Sequence, residues 1–79
     1  MICRDKWIIE LSCHAVRRAV WRGITPDMIE STIKNGRVER FGKNMLKFVS
    51  NYRRGRVICV GEMKEGNFIK ILTIEWGCT

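Results

Sequence analysis

The chain of 79 residues has a single histidine, no glutamine, and four cysteines without a Cys-x-x-Cys pair. Metal sites need clustered ligands at short spacing. His14 and the scattered Cys3, Cys13, Cys59 and Cys78 do not supply them, so no metal and no cofactor is expected. Free thiols are the expected state of the cysteines. Intracellular disulfides of heat-adapted proteins are the exception, and a composition rich in Ile, Arg and Lys without glutamine leans that way. No apolar run approaches the ~20 residues of a membrane span. Arg4, Asp5 and Lys6 precede only a short apolar stretch, which is not a signal-peptide pattern. A soluble cytoplasmic protein with no membrane partner is therefore expected. A glycine-rich phosphate loop, a Ser-His-Asp order and a paired-carboxylate motif are also missing.

Acidic residues are scarce too, 8 against 15 basic ones, for a net charge of +7. The excess is concentrated. Residues 37–56 hold Arg37, Arg40, Lys43, Lys47, Arg53, Arg54 and Arg56 against Glu39 alone, a balance of +6. Such a segment is the footprint of a polyanion binder, although a solvated hairpin guarding a sheet edge has the same composition. Phe41, Phe48 and Tyr52 interleave with these charges and can stack on bases where exposed, or serve the core. Arg37, Arg40, Lys43, Lys47, Tyr52, Arg53, Arg54 and Arg56 are thus the candidate RNA-binding residues.

The chain length suits one domain, residues 1–79, with no linker or repeat. Lys6–Leu11, carrying Trp7, Ile8, Ile9 and Leu11, opens as a short strand or extended lead-in. Ser12 has the chemistry of a helix N-cap, Leu11 and Val16 form a staple pair, and Gly23 is the stop. Ala15, Val16, Ala19 and Val20 supply the face to bury. A second helix starts at the cap Thr25 with Pro26 and Asp27, buries Met28, Ile29, Thr32 and Ile33, and stops at Asn35-Gly36. From Arg37 the pattern turns to β: Arg37–Phe41, Met45–Asn51, Arg56–Met63 and Phe68–Trp76, separated by short turns. Turns this short make sequential strands antiparallel neighbours. The expected fold is α+β: a helical hairpin packed on one face of an antiparallel meander of about four strands, in the order (β)ααββββ.

His14, Arg18 and Arg22 recur at i, i+4 and i+8, one stripe on the first helix. A neutral imidazole can accept a proton, and guanidinium forks suit phosphate oxygens. These three are the candidate catalytic residues. Each also has a structural reading: a capping histidine, and arginines paired with Glu30, Glu62 or Glu75. Glu75 and Tyr52 are further candidates for proton acceptor and donor, and Arg17 and Trp21 are spaced to stack as a cation–π pair.

The run His14-Ala15-x-x-Arg18-x-x-x-Arg22-Gly23-Ile24-Thr25, with Ile29 and the Asn35-Gly36 stop, resembles a family of small microbial proteins of uncharacterised function. Its signature is H-A-x-x-R-x-x-x-R-G-I-[ST]. The likeness continues through Met45-Leu46-Lys47-Phe48 and Ile71-Leu72-Thr73-Ile74, covering about residues 10–76. That family looks related to the BrnT and RelE/ParE-like toxins, which implies a RelE/BrnT-like fold and metal-independent chemistry on RNA. The heavier basic load at 37–56 departs from many members and favours a stable RNA-binding role. The leading expectation is a non-catalytic RNA- or ribosome-binding protein. The alternatives are a metal-independent endoribonuclease toxin of a toxin–antitoxin pair, and an interaction module for an acidic antitoxin-like protein.

Overall fold

The computed structural model describes residues 2–77, so Cys78, one of the expected free thiols, lies outside the described residues. The order is β1 (Ile2–Arg4), β2 (Trp7–Leu11), α1 (Cys13–Trp21), α2 (Pro26–Asn35), β3 (Arg37–Phe41), β4 (Met45–Tyr52), β5 (Gly55–Lys64), a short 3₁₀ turn (Glu65–Asn67) and β6 (Phe68–Gly77). The class is α+β, as expected, but the sheet has six strands rather than about four. The order is ββααββββ, not (β)ααββββ. The strands run β1-β2-β6-β5-β4-β3 across the sheet.

Both corrections come from the N-terminal segment. Asp5, at φ 52°, turns the chain back so that Arg4 pairs with Trp7. The charged lead-in is thus half of a hairpin. β2 then joins β6 in parallel, Ile8 to Phe68 through Leu11 to Ile71. A parallel pair needs a long crossover, and here α1, α2 and three strands provide it. The other neighbours pair antiparallel.

The helix punctuation follows the sequence closely. Ser12 accepts from the Ala15 N–H at 3.1 Å, and Thr25 from the Met28 N–H at 3.2 Å. After α1, Ile24 N–H donates to Ala19 O at 2.9 Å and Gly23 N–H to Val20 O at 3.0 Å. This is a Schellman closure with Gly23 at φ 83°, a conformation that favours glycine. At the far end of α2, Arg4 Nη1 donates to Ile33 O (3.0 Å) and Gly36 O (2.7 Å). Those carbonyls have no partner within the helix, and the cation suits the negative end of the dipole.

One core lies between the helices and one face of the sheet. Ile29 and Ile33 of α2, with Ile24, pack over Leu46, Phe48, Val57, Cys59, Ile69, Ile71 and Ile74. Thr32 is buried and returns its hydroxyl to Met28 O at 2.7 Å. α1 buries only Ala15 and Ala19. Val20, expected to help fill the core, is half exposed.

The end of β6 positions everything that follows. β2 stops at Leu11, opposite Ile71, so from Leu72 onward that edge of β6 has no neighbouring strand among the described residues. Leu72 is also the extra residue of a bulge, since Val60 pairs with Thr73 and Gly61 with Ile71. α1 packs against β6.

Candidate nucleic-acid interface

The i, i+4, i+8 stripe of α1 faces the open edge of β6. His14, Arg18 and Arg22, with Ala15, form one wall of a recess of about 260 Å³, and Leu72, Thr73 and Ile74 form the other. The three candidate catalytic residues are therefore together. Arg22 caps α1, and its Nη1 donates to Ile74 O at 2.8 Å. The Trp76 indole N–H donates to Arg22 O at 2.6 Å. These two bonds tie the helix end to β6 and fix the Arg22 fork at the mouth of the recess. None of the lining residues is a carboxylate.

The ion pairs that were the structural alternative for Arg18 and Arg22 do not form among the described residues. Glu30 pairs with Lys34 at 3.4 Å and Glu62 with Lys64 at 2.8 Å. Glu75 follows inward-facing Ile74 and lies on the helix-free face, in register with Ile58. The Arg17–Trp21 stack is also absent among the described residues, where the close cation–ring contacts are Arg4 on Phe48 and Lys47 on Phe41. Instead Arg17 and Trp21 line an apolar groove of about 430 Å³ with Leu11, Cys13, Val16 and Val20, and Trp21 is 83% exposed.

The β4–β5 turn arrives at the same end of the molecule. Arg54 Nη1 lies 3.2 Å from the point a Gly23 Cβ would occupy, so its guanidinium rests on the α1–α2 turn beside Arg22. Arg53 and Arg54 are exposed on the turn itself. Residues some thirty positions apart (Gly23 and Arg54) thus meet, which spacing alone did not reveal. Tyr52 is half-buried, and its hydroxyl donates to Met28 O of α2 at 3.4 Å. Arg56 follows, with its Nε buried and without a partner among the described residues.

The other candidate RNA-binding residues are elsewhere. Arg37 and Lys47 share Glu39, at 2.8 and 3.8 Å, on the helix-free face. Arg40 is level with buried Leu46 on the opposite face and sets Nη2 3.3 Å from Met63 sulfur. Lys43 sits on the β3–β4 turn, a full strand length from Arg53 and Arg54, about 25 Å at the usual rise per residue. Phe48 is wholly buried, edge-on to Trp7 with ring centroids 6.2 Å apart, and offers no face to a base.

Among the described residues no group of His, Cys, Asp and Glu could hold a metal ion. Cys3 and Cys13 are exposed free thiols, whereas burial pushes the Cys59 thiol up to about 12. No helix of the described residues is long and apolar enough to cross a membrane.

Sequence reasoning missed Trp76 and the β6 edge as parts of this site. The helical spacing predicts a wall but says nothing of what stands opposite. The family resemblance, through Ile71-Leu72-Thr73-Ile74, and the candidate proton acceptor Glu75 pointed towards that strand. No family model matches the chain, nor does any curated protein or solved structure.

Proposed function

We propose that this protein binds RNA, free or within the ribosome, without cleaving it, through the end of the molecule where the α1–α2 and β4–β5 turns meet. The observation that carries this reading is the company of its arginines. Arg22, Arg53 and Arg54 gather there with no carboxylate partner among the described residues, while Glu39 occupies Arg37 and Lys47 at a distance. A phosphate backbone meets these guanidiniums without displacing an ion pair, and the Arg22 fork is held in place before binding. Trp21, next to Arg22 and almost fully exposed, offers the stacking face that Phe48 does not.

The recess favours a second reading, a metal-independent endoribonuclease, because it sets His14 beside two arginines. Phosphodiester cleavage by general acid–base chemistry uses a second proton-transfer group. Tyr52 gives its hydroxyl to Met28 O, and Glu75 lies on the helix-free face, so neither supports that role. The binder is therefore the better-supported reading.

Fluorescence anisotropy with a labelled single-stranded RNA tests it. The double variant Arg53→Ala/Arg54→Ala is expected to bind at least tenfold more weakly than wild type, with the thermal melt preserved. Unchanged affinity removes this end from the interface. Metal-free cleavage of the RNA by wild type, lost in His14→Ala, would put the endoribonuclease first. Co-purification of a small acidic protein instead of RNA or ribosomes would favour the interaction module.

A further inference from the structure

The recess beside α1 differs in shape from the rest of the basic end. Arg53 and Arg54 stand on an open turn, where a nucleic-acid strand can lie across them and continue on both sides. His14, Arg18 and Arg22 instead back a cavity of about 260 Å³ that the β6 edge closes opposite. Such a cavity, walled by α1 on one side and β6 on the other, has room for a phosphate and the sugar that carries it. That is the geometry of a chain end.

The donors match in number and kind. A phosphodiester presents two non-bridging oxygens and one negative charge. A phosphomonoester presents three oxygens and up to two charges. Three donor side chains line one wall here, two of them permanently cationic, and no carboxylate lines the recess. The backbone adds a further donor. On an extended strand a residue's N–H and C=O point to the same edge. Ile74 O accepts from Arg22 at the free edge, so the Ile74 N–H faces that edge too. The bulge at Leu72 falls on this same stretch, and bulges recur where a strand must re-aim its groups beside a site.

We propose that this recess binds the phosphomonoester of a ribonucleotide, as carried by an RNA end or by a free nucleotide. Arg18 and Arg22 hold the charge, and His14 contacts a third oxygen. As recognition of RNA ends, this rests on the RNA-binding reading above.

The test is isothermal titration calorimetry with three RNA oligonucleotides of one sequence: 5′-phosphorylated, 3′-phosphorylated, and hydroxyl at both ends. Adenosine monophosphate is titrated alongside. One phosphorylated RNA is expected to bind at least tenfold tighter than the hydroxyl-ended one. Arg18→Ala should collapse that ratio towards one. Arg53→Ala/Arg54→Ala should weaken both RNAs while keeping the ratio. His14→Glu, which sets a carboxylate in the α1 wall at an exposed position of the first helical turn, should also abolish discrimination and serves if Arg18→Ala does not fold. A wild-type ratio near one, or a ratio that survives both Arg18→Ala and His14→Glu, overturns the recess while leaving RNA binding standing. If no RNA binds, the RNA reading fails. Adenosine monophosphate binding that Arg18→Ala removes would then identify free nucleotide as the ligand, and no binding would overturn the recess as well.

Discussion

Gly36 ends α2 with φ −71° and ψ 166°, a conformation any residue adopts. Its lack of a side chain serves packing: a Cβ there would run into the Thr32 and Val49 carbonyl oxygens. Asn35-Gly36 signals the helix stop in the sequence, but the reason for glycine lies in β4, thirteen residues further on (Val49). Gly36→Ala is therefore expected to cost about 1–3 kcal/mol in urea melts, as overpacking does. Cys59 makes a second prediction at this scale. Its thiol ionises near the ordinary 9.0 in the unfolded chain and near 12 when buried. Between those values the folded state keeps a proton the unfolded state has lost, so stability present below pH 9 falls as pH rises towards 12. The stability gap between wild type and Cys59→Ala should narrow by about 1 kcal/mol from pH 7 to pH 10. A constant gap would mean the thiol is not buried as described.

The two helices of the hairpin are held very differently. α2 buries Ile29, Thr32 and Ile33 and carries a cap at one end and Arg4 at the other. Ile29→Ala should cost about 2–5 kcal/mol, and Thr25→Ala about 1 kcal/mol. α1 buries only two alanines, sets Val16 part-buried against the core, and leaves Val20 and Trp21 exposed. Val20→Ser should then change stability by no more than about 0.5 kcal/mol. Ala19→Leu should cost about 1–3 kcal/mol because that close approach has no room for a larger side chain. Chemical denaturation of the four variants checks the contrast, and a costly Val20→Ser would refute the packing of α1. Periodicity identified both helices and their stops, since caps and staples are local chemistry. It assigned Val20 to the buried face along with Val16 because a 3.6-residue repeat shows that a face exists, not how much of it the partner covers.

For the whole molecule, the placement of charge matters more than its sum. The +6 segment is divided between two ends of β4 and two faces of the sheet, and Glu39 occupies part of it. Binding of single-stranded RNA should reflect that division. Replacing Arg53 and Arg54 with Ala should flatten the log–log salt dependence by about 1.4, roughly 0.7 for each phosphate left without its arginine. Lys43→Ala, at the far end, should leave the slope unchanged although it too removes a cation. Equal effects per charge from the two ends would show that net charge alone drives binding.

Helix caps, turn positions, the four later strands and the stripe of His14, Arg18 and Arg22 were legible in the residues, because each depends on neighbours within a few positions. The N-terminal hairpin, the parallel β2–β6 pair and the early end of β2 were not. Strand pairing across sixty residues, as between Ile8 and Phe68, leaves no periodic trace in either segment. The recess depends on that long-range choice: β6 runs on past its last β2 partner, Leu11, and its stretch from Leu72 to Ile74, unpaired on that side among the described residues, faces the basic stripe of α1. Local chemistry made a basic helix, and the long-range sheet pairing put a second wall opposite it.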